Sequence, residues 1–339
     1  MRRLCLYGKN DLRFEEVERP AISQGEILVR VGAAAICGTD VRMLGYGTPN
    51  IPLVPGHEFA GTVEETKSGR FAVGQRVALQ PNIGCGACEF CASGRQHMCP
   101  DYRAFGIQMD GAFAEYIKIP AEAVERGNVV ELPERISFAE AAVVEPVSCA
   151  YNGFEKMNVH INDTAWIIGT GPIGLAHALF LHSAGARVAM SDLSEERLQQ
   201  SVRLFPWITP MQGDVTAFVR KFTGNRGFNV AIVACPSPEA QSQVLEQMAI
   251  GGRVNFFGGI PAAKEPVALD TNLIHYREIC VTGSARSSLS QYRKVLKMAA
   301  EKTIDVSSLV THKYSLEQYQ TAFDNARNAV GIKHIFIFE

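Results

Sequence analysis

The chain has 339 residues, a formal net charge of −2, 47% hydrophobic and 20% charged residues, which is ordinary for a globular protein. That length favours two domains over one, and the lack of a basic excess argues against nucleic acid and anionic membranes as partners. No apolar stretch free of charges reaches the roughly 18 residues that a membrane-spanning helix requires.

The first third of the chain has the pattern of short strands separated by glycine and proline. Residues 26–34 alternate, with Ile27, Val29 and Val31 on one face, as in a half-buried strand. Similar apolar runs predict three more strands, at Phe59–Val63, Arg76–Leu79 and Ala112–Ile119. We therefore expect a β-rich domain, built as a small irregular barrel.

Four closely spaced cysteines follow in the segment IGCGACEFCASGRQHMCP, at Cys85, Cys88, Cys91 and Cys99. Such thiolates can surround one tetrahedral zinc ion in a closed site that supports structure rather than reaction. Two disulfides are an alternative, but disulfides suit short secreted chains, and from the residues at 1–17 we expect no secretory signal. Small core residues and an iron–sulfur cluster are further alternatives, the latter weakened by the spacing. The other cysteines are isolated, as in a reducing cytoplasm, where we expect the protein.

The pattern changes after about residue 140. Helical spacing covers Phe138–Phe154, and apolar strands then alternate with amphipathic helices. The strands are predicted at 164–168, 187–191, 230–234, 253–257 and 279–282, and helices at 172–184 and 195–204. This alternation implies a parallel sheet with helices on both faces. The tail ends in the apolar strand Ile332–Phe338, which could rejoin the first domain, so we predict one domain of residues 1–145 and 286–339 and another of residues 146–285.

A glycine-rich turn joins the first strand of this second domain to its helix. The motif is Gly169-Thr-Gly171-Pro172-Ile173-Gly174, and its context of strand, turn and helix is that of a dinucleotide site. The first glycine permits the tight turn, the second lets the backbone approach a pyrophosphate, and the third allows close packing of helix and strand. The N–H groups at the start of the helix would then bind the phosphates.

An acid stands at the end of the next strand, where a dinucleotide site needs one. Asp192 lies 23 residues after Gly169 and could accept hydrogen bonds from the adenosine ribose hydroxyls. Its charge, with Glu195 and Glu196 nearby, would repel a 2′-phosphate, so NAD is predicted rather than NADP. The alternative is that Asp192 caps the following helix. Arg197 could line the adenine side or be a solvated helix residue.

Four further residues are of types that bind a reactive metal. Cys37 occurs in ICGTD, His57 and Glu58 in PGHEF, and Glu145 in VEP. Sulfur, imidazole and carboxylate are all zinc ligands, and three protein ligands leave a fourth position for water or substrate. The spacing of these residues does not by itself bring them together.

The order of these motifs resembles that of the zinc-dependent medium-chain dehydrogenases. ICGTD, PGHEFAG, the cysteine run, DGAFAEY, VEPVSCA and GTGPIG occur in that family's order, and the match covers essentially the whole chain. The resemblance implies an α/β protein with a GroES-like catalytic domain and a Rossmann domain. The Glu-Pro at residues 145–146 points to the polyol, sorbitol-like branch.

The resemblance also implies roles for the residues. Cys37 and His57 would bind the catalytic zinc, and Glu58 and Glu145 would be alternating ligands, or one ligand and one supporting carboxylate. Asp40 would accept a hydrogen bond from His57, and Thr39 would bind the substrate oxygen and begin the proton path. With the closed cysteine site, two zinc ions per chain are expected.

The chain departs from the family at Arg42, where many relatives carry a histidine that relays protons. Arginine cannot exchange protons near neutral pH. It could instead bind an anionic group of the substrate, be exposed, or contact the cofactor phosphates.

The expected function is oxidation of a secondary alcohol of a polyol or sugar acid to a ketone, with hydride transfer to NAD. A sugar-alcohol phosphate or L-threonine is the alternative substrate, and a nucleotide-binding protein without catalysis is a less favoured alternative. The expected partner is a small molecule, and the expected assembly is a homotetramer or homodimer.

Overall fold

The computed structural model describes residues 1–260 and 266–338 and divides the chain into two compact units. The first unit consists of Met1–Glu145 and Ser287–Glu339, and the second of Pro146–Arg286. Neither unit contains a described helix with the length and apolar character needed to cross a membrane.

The N-terminal part of the first unit is mainly β-structure, as the alternating pattern predicts. Its strands are β1 (Arg2–Gly8), β2 (Asp11–Glu16), β3 (Ile27–Ala35), β4 (Glu58–Thr66), β5 (Arg76–Leu79), β6 (Asn82–Ile83), β7 (Arg103–Ala104), β8 (Tyr116–Ile119) and β9 (Val129–Glu131). Its helices are α1 (Gly38–Tyr46), α2 (Glu89–Ala92), α3 (Ala121–Glu125) and the start of α4 (Phe138–Glu155).

The second unit alternates strands and helices. Its strands are β10 (Thr164–Ile168), β11 (Arg187–Ser191), β12 (Thr209–Pro210), β13 (Phe228–Val233), β14 (Met248–Phe256) and β15 (Cys280–Gly283). Its helices, after the end of α4, are α5 (Pro172–Ser183), α6 (Glu195–Leu204), α7 (Val215–Thr223), α8 (Pro238–Gln243) and α9 (Thr271–Tyr276). The chain then returns to the first unit with α10 (Leu289–Ala300), β16 (Val310–Tyr314), α11 (Tyr319–Arg327) and β17 (Lys333–Ile337).

The last strand of the chain completes the main sheet of the first unit. This sheet has the order β16-β17-β3-β4-β5-β9, with β8 paired to β3, and β17 runs antiparallel to β3. Phe113 packs edge-to-face on Phe323 and Phe336, with ring centroids 6.0 and 5.1 Å apart. The terminal strand therefore belongs to the core that supports β3 and β4.

One predicted strand is shorter in the structure than expected. Only Tyr116–Ile119 of the predicted run Ala112–Ile119 forms a strand. The N–H groups of Ala112 and Phe113 donate instead to the carbonyls of Gly56 and Pro55, at 2.9 and 3.0 Å. These bonds hold the backbone just before His57, so this segment positions the site rather than extending the sheet.

The sheet of the second unit is wholly parallel, in the order β12-β11-β10-β13-β14-β15. The order reverses between β10 and β13, as in a doubly wound dinucleotide-binding sheet. The predicted α/β fold class, with a β-rich domain and a Rossmann domain, is confirmed.

A buried histidine in α5 lacks polar partners. His177 is fully buried, and neither ring nitrogen has a hydrogen-bond partner among the described residues. Its ring packs edge-on against Phe257 at 5.2 Å, and a side chain on Gly153 would meet it at 2.6 Å. Burial lowers the pKa of His177 to about 3, because the charged form is poorly solvated there.

We expect His177→Leu to reduce the acid sensitivity of the fold. Because the native pKa of His177 lies below its unfolded value, this histidine's favourable contribution is complete above the unfolded pKa and is lost as pH falls toward about 3. That loss approaches about 1.4 kcal/mol per pH unit for one proton. Urea unfolding at a series of pH values from neutral downward should give a shallower pH dependence for the variant, and an identical slope would contradict the assignment.

Candidate metal and cofactor sites

Three of the four residues predicted to bind the reactive metal meet where β3 ends and β4 begins. Ala35 of β3 pairs with Glu58, the first residue of β4, and Cys37 follows β3 at the start of α1. The ligand atoms of Cys37, His57 and Glu58 all lie within 4.8 Å of one another. The antiparallel register therefore brings together residues that are distant in sequence.

The final strand adds a residue that the sequence analysis missed. Ala35 also pairs with Ile335 of β17, which brings Lys333 to the same end of the sheet. Lys333 is 2% exposed; its Nζ donates to the Ile36 carbonyl at 2.8 Å and to Oε2 of Glu58. In the sequence, its role could have been inferred only from its being a lysine near the start of the apolar segment Ile332–Phe338.

Negative charge is concentrated around this buried lysine. Burial alone would lower the pKa of Lys333, but Glu58, Cys37 and Asp40 together raise it. Burial would likewise lower the pKa of His57, whereas Cys37 and Asp40 hold it well above its usual value. The cluster therefore favours a cation.

Two buried polar atoms make the cluster suitable for a metal ion. Oε1 of Glu58 and Nδ1 of His57 are buried and have no hydrogen-bond partner in the described part of the chain. A buried polar atom without a partner lowers the stability of the fold, and a bound cation would supply the missing partner to both atoms. Thiolate, imidazole and carboxylate are all zinc donors. The residues present therefore fit a zinc ion.

Asp40 does not accept the hydrogen bond from His57 that the sequence analysis predicts. Its Oδ1 lies 3.7 Å from Nδ1 of His57, which is too long for a hydrogen bond. Instead, Oδ2 accepts from the N–H of Cys37 at 2.8 Å and Oδ1 from the N–H of Gly56 at 3.3 Å. Asp40 thus holds the backbone of Cys37 itself and of Gly56, the residue that precedes His57.

Glu145 lies outside the group of atoms within 4.8 Å. It is buried on α4, at the last residue before the division between the units. Burial, with the charge of Glu145, raises the pKa of the buried Tyr292 hydroxyl on α10. Alternation of Glu58 and Glu145 as ligands would require Glu145 to approach the cluster, and it stays a prediction.

Thr39 and Arg42 lie in the first turns of α1, directly after Cys37. Nη2 of Arg42 donates to Oγ1 of Thr39 at 3.0 Å. The Thr39 hydroxyl keeps its proton and one lone pair for another partner. Sequence reasoning placed these residues near the reaction but did not predict their mutual contact.

The four remaining candidate ligands also form one group. The Sγ atoms of the cysteines lie within 4.8 Å of one another; the residues are Cys85, Cys88, Cys91 and Cys99. Backbone N–H groups of Cys85 and Cys88 donate to Sγ of Cys99 and of Cys85 at 3.3 and 3.4 Å. A side chain on Gly84 would place its Cβ 2.5 Å from Sγ of Cys91. The lack of a side chain at Gly84 therefore leaves room for the Cys91 thiol.

The thiols of this group differ in their ability to ionise. Backbone N–H groups of Ala87 and Cys88 lower the pKa of Cys85 to about 6. Burial instead raises the pKa of Cys91 to about 12 and also raises that of Cys99. Four clustered thiols cannot all carry charge without a cation to balance them. An all-sulfur zinc site fits this donor set.

In the second unit, the glycine motif has the geometry that a dinucleotide requires. Gly169 has a φ of +106°, and a Cβ on Gly174 would lie 1.9 Å from the Gly169 carbonyl oxygen. Gly171 caps α5, and Pro172 and Ile173 are its first residues. The bare glycine backbone leaves space for phosphates beside the helix N-terminus.

Asp192 is bonded to this loop. Its Oδ2 accepts from the N–H and hydroxyl of Thr170, both at 2.8 Å, and Oδ1 accepts from the N–H of Ser194 at 3.0 Å. Burial would raise the pKa of Asp192, but these donors and Arg197 lower it. The helix α6 is capped by Ser194 rather than by Asp192, so the capping alternative is wrong. One lone pair of Oδ1 remains for a ribose hydroxyl.

Arg197 lies against the glycine loop. A Cβ on Gly171 would be 3.1 Å from its Nη2, and its Nε is buried without a partner among described residues. Arg197 is therefore packed beside the candidate phosphate site and is not a fully solvated helix residue, and its contact with the adenine side stays a prediction.

Family models and curated relatives match most of the chain. Residues 23–134 match the alcohol dehydrogenase GroES-like domain, and residues 172–301 match the zinc-binding dehydrogenase domain. A sorbitol dehydrogenase of Bacillus subtilis (strain 168) is 30% identical over 96% of this chain and 93% of its own length. An L-threonine 3-dehydrogenase of Bacillus velezensis is 31% identical, over 95% and 94% of the two chains.

Solved structures share the whole fold. One, from Escherichia coli CFT073, is described as a short chain alcohol dehydrogenase (rspB) complexed with NADH; it is 26% identical, with a TM-score of 0.89, over 100% of this chain and 99% of that one. A zinc-binding dehydrogenase of Sinorhizobium meliloti 1021, bound to NADP, is 28% identical with a TM-score of 0.89 over 99% of each chain.

Proposed function

Because the chain belongs to the zinc-dependent medium-chain dehydrogenase family, and is therefore an oxidoreductase of the alcohol dehydrogenase type, we propose that it oxidises a secondary alcohol of a polyol or sugar acid to a ketone, with zinc and NAD as cofactors. The observation that carries this proposal is the cluster of the half-buried Cys37 with the buried His57 and Glu58, in which two polar atoms lack partners among the residues that the structure describes. A protein that only bound nucleotides would not need such a cluster.

The residues of the first unit would perform separate tasks. Cys37 and His57 would hold the catalytic zinc, and Glu58 or Glu145 would complete the set. Bound zinc would favour ionisation of the substrate hydroxyl, and NAD would accept the hydride. The Thr39 hydroxyl would bind the substrate oxygen and begin the proton path, passing its own proton onward as it takes the substrate's, and Lys333 would neutralise Glu58 through Oε2.

The other sites would support this reaction. Cys85, Cys88, Cys91 and Cys99 would hold a second, structural zinc. The glycine motif and Arg197 would bind the pyrophosphate, and Asp192 the adenosine ribose. We propose a homodimer or homotetramer, since β15 is at the edge of the described sheet of the second unit, and an edge strand can pair with a strand of a second copy. Light scattering would measure the assembly.

A substrate panel tests the proposed reaction. The purified protein would be supplied with NAD and with sorbitol, gluconate, sorbitol 6-phosphate or L-threonine, and NADH absorbance followed. Turnover of a polyol or aldonate, lost on chelation and restored by added zinc, is expected. If only sorbitol 6-phosphate or only L-threonine were oxidised, the substrate would belong to one of the alternative classes. No NADH with any secondary alcohol would refute the dehydrogenase proposal.

We expect Asp192→Ala to weaken NAD binding about 10- to 100-fold, the size of one or two lost hydrogen bonds to a charged group. Binding of NADP should fall less, because the substitution also removes repulsion of the 2′-phosphate. Dissociation constants from fluorescence titration with both cofactors measure the change. Glu246→Ala is the matched control, since this exposed acid lies just before β14, at the opposite end of the parallel sheet from the loop that follows β10. An unchanged NAD/NADP preference in Asp192→Ala would refute the ribose role.

A further inference from the structure

The guanidinium of Arg42 lies beside the first residues after Cys37. Its side chain turns back along α1, where Nη2 donates to Oγ1 of Thr39 at 3.0 Å. Nη1 lies 3.5 Å from the position that a Cβ on Gly38 would occupy. A fixed positive charge therefore stands next to the hydroxyl that the proposed function assigns to substrate binding.

This charge is exposed and lacks an acidic partner among the residues that the structure describes. The acid nearest in sequence, Asp40, is only 1% exposed and is committed to the N–H groups of Cys37 and Gly56. Other exposed arginines of the first unit, such as Arg2 and Arg13, are paired with carboxylates at 2.6 Å. Arg42 retains most of its donors for a ligand.

We infer that Arg42 selects substrates that carry an anionic group, a carboxylate or a phosphate, close to the hydroxyl that is oxidised. The inference rests on the proposed function and specifies its substrate class. A guanidinium presents paired N–H donors that match the oxygens of either anion. Because Arg42 already donates to Thr39, one molecule could place its hydroxyl at Thr39 and its anionic group on the neighbouring guanidinium.

Arginine cannot perform the proton relay for which many relatives carry a histidine at this position. An arginine side chain does not exchange protons near neutral pH, so a residue of this type cannot relay the proton released by the substrate. Its contact with Thr39 instead holds the hydroxyl in one orientation. The residue is thus suited to recognition and positioning rather than to acid–base chemistry.

Selectivity is measured by comparing anionic and neutral substrates in matched variants. For the wild type, Arg42→Gln and Arg42→Lys, kcat/KM would be determined with sorbitol, gluconate, sorbitol 6-phosphate and L-threonine. In Arg42→Gln, the ratio of the best anionic substrate to sorbitol should fall about 10- to 100-fold, with partial recovery in Arg42→Lys. Gluconate and sorbitol 6-phosphate separate a carboxylate from a phosphate preference. Arg13→Gln, an equal change in net charge, should leave the ratio unchanged.

Two kinetic outcomes would overturn the inference. One is a wild-type preference for sorbitol that Arg42→Gln does not alter. The other is an equal loss for all substrates together with a raised KM for NAD, which would assign Arg42 to the cofactor phosphates.

A binding experiment separates this inference from the reaction itself. Calorimetric titration of the zinc-loaded protein with inorganic phosphate and with gluconate should show binding of each anion. The affinity should fall at least about tenfold in Arg42→Gln, and the affinity of the wild type should fall as the salt concentration rises. If no alcohol in the panel is oxidised, the proposed function fails and this titration alone decides the role of Arg42. Equal affinities in wild type and Arg42→Gln would refute it.

Discussion

Lys333→Met is expected to lower the free energy of unfolding by about 3–5 kcal/mol, because it leaves the buried carboxylate of Glu58 without its cation. Lys333 and Glu58 are 2% and 0% exposed, so water cannot replace the lost partner. The Ile36 carbonyl would also lose its hydrogen bond from Nζ. This substitution tests the contact that the final strand contributes to the site.

A second variant distinguishes the buried charge from simple packing. In Lys333→Met combined with Glu58→Gln, no unpaired charge remains, so a substantial part of the stability should return. Urea unfolding of each variant, with and without zinc, would give the midpoints, compared at unchanged slope, because a zinc ion at Glu58 would itself offset the charge. A double variant as unstable as Lys333→Met would show that the charge pair is not the cause.

Cys37→Ala should abolish turnover while leaving one zinc ion per chain. Loss of a catalytic metal removes several kcal/mol of transition-state stabilisation, which corresponds to at least about 10³-fold in rate. Because the cysteine group at residues 85–99 is a separate cluster, its zinc should remain. Elemental analysis of the purified variant gives the count, and NADH absorbance gives the rate.

Cys88→Ser is the matched variant at the other cluster. It should also lower the zinc content by one ion, but the effect should appear mainly as a lower melting temperature or aggregation, because a structural zinc contributes to folding. The rate per folded molecule should be largely retained. Full activity with two zinc ions in Cys37→Ala, or complete inactivity of well-folded, oligomer-intact Cys88→Ser, would reverse the assignment of the two sites.

Local patterns were sufficient for much of the fold and for the cofactor motif. The strand Thr164–Ile168, the turn at Gly169 and the helix beginning at Pro172 were predicted from consecutive residues, since each depends on short-range backbone preferences. The same is true of the cysteine run, whose four ligands lie within one short loop. The error at Ala112 arose because that backbone bonds to Gly56 and Pro55, contacts that alternation in sequence does not encode.

The reactive site depended on long-range contacts. The sequence alone determined the residue types, namely a thiol, an imidazole and carboxylates, and through the order of motifs it determined the family. Only the tertiary structure decided which of them meet: the register of β3 with β4 and β17 brings Cys37, Glu58 and Lys333 to one end of the sheet and leaves Glu145 outside the close group. The reason is that strand pairing joins Ala35 to Glu58, 23 positions away, and to Ile335, 300 positions away, and no local preference specifies those partners.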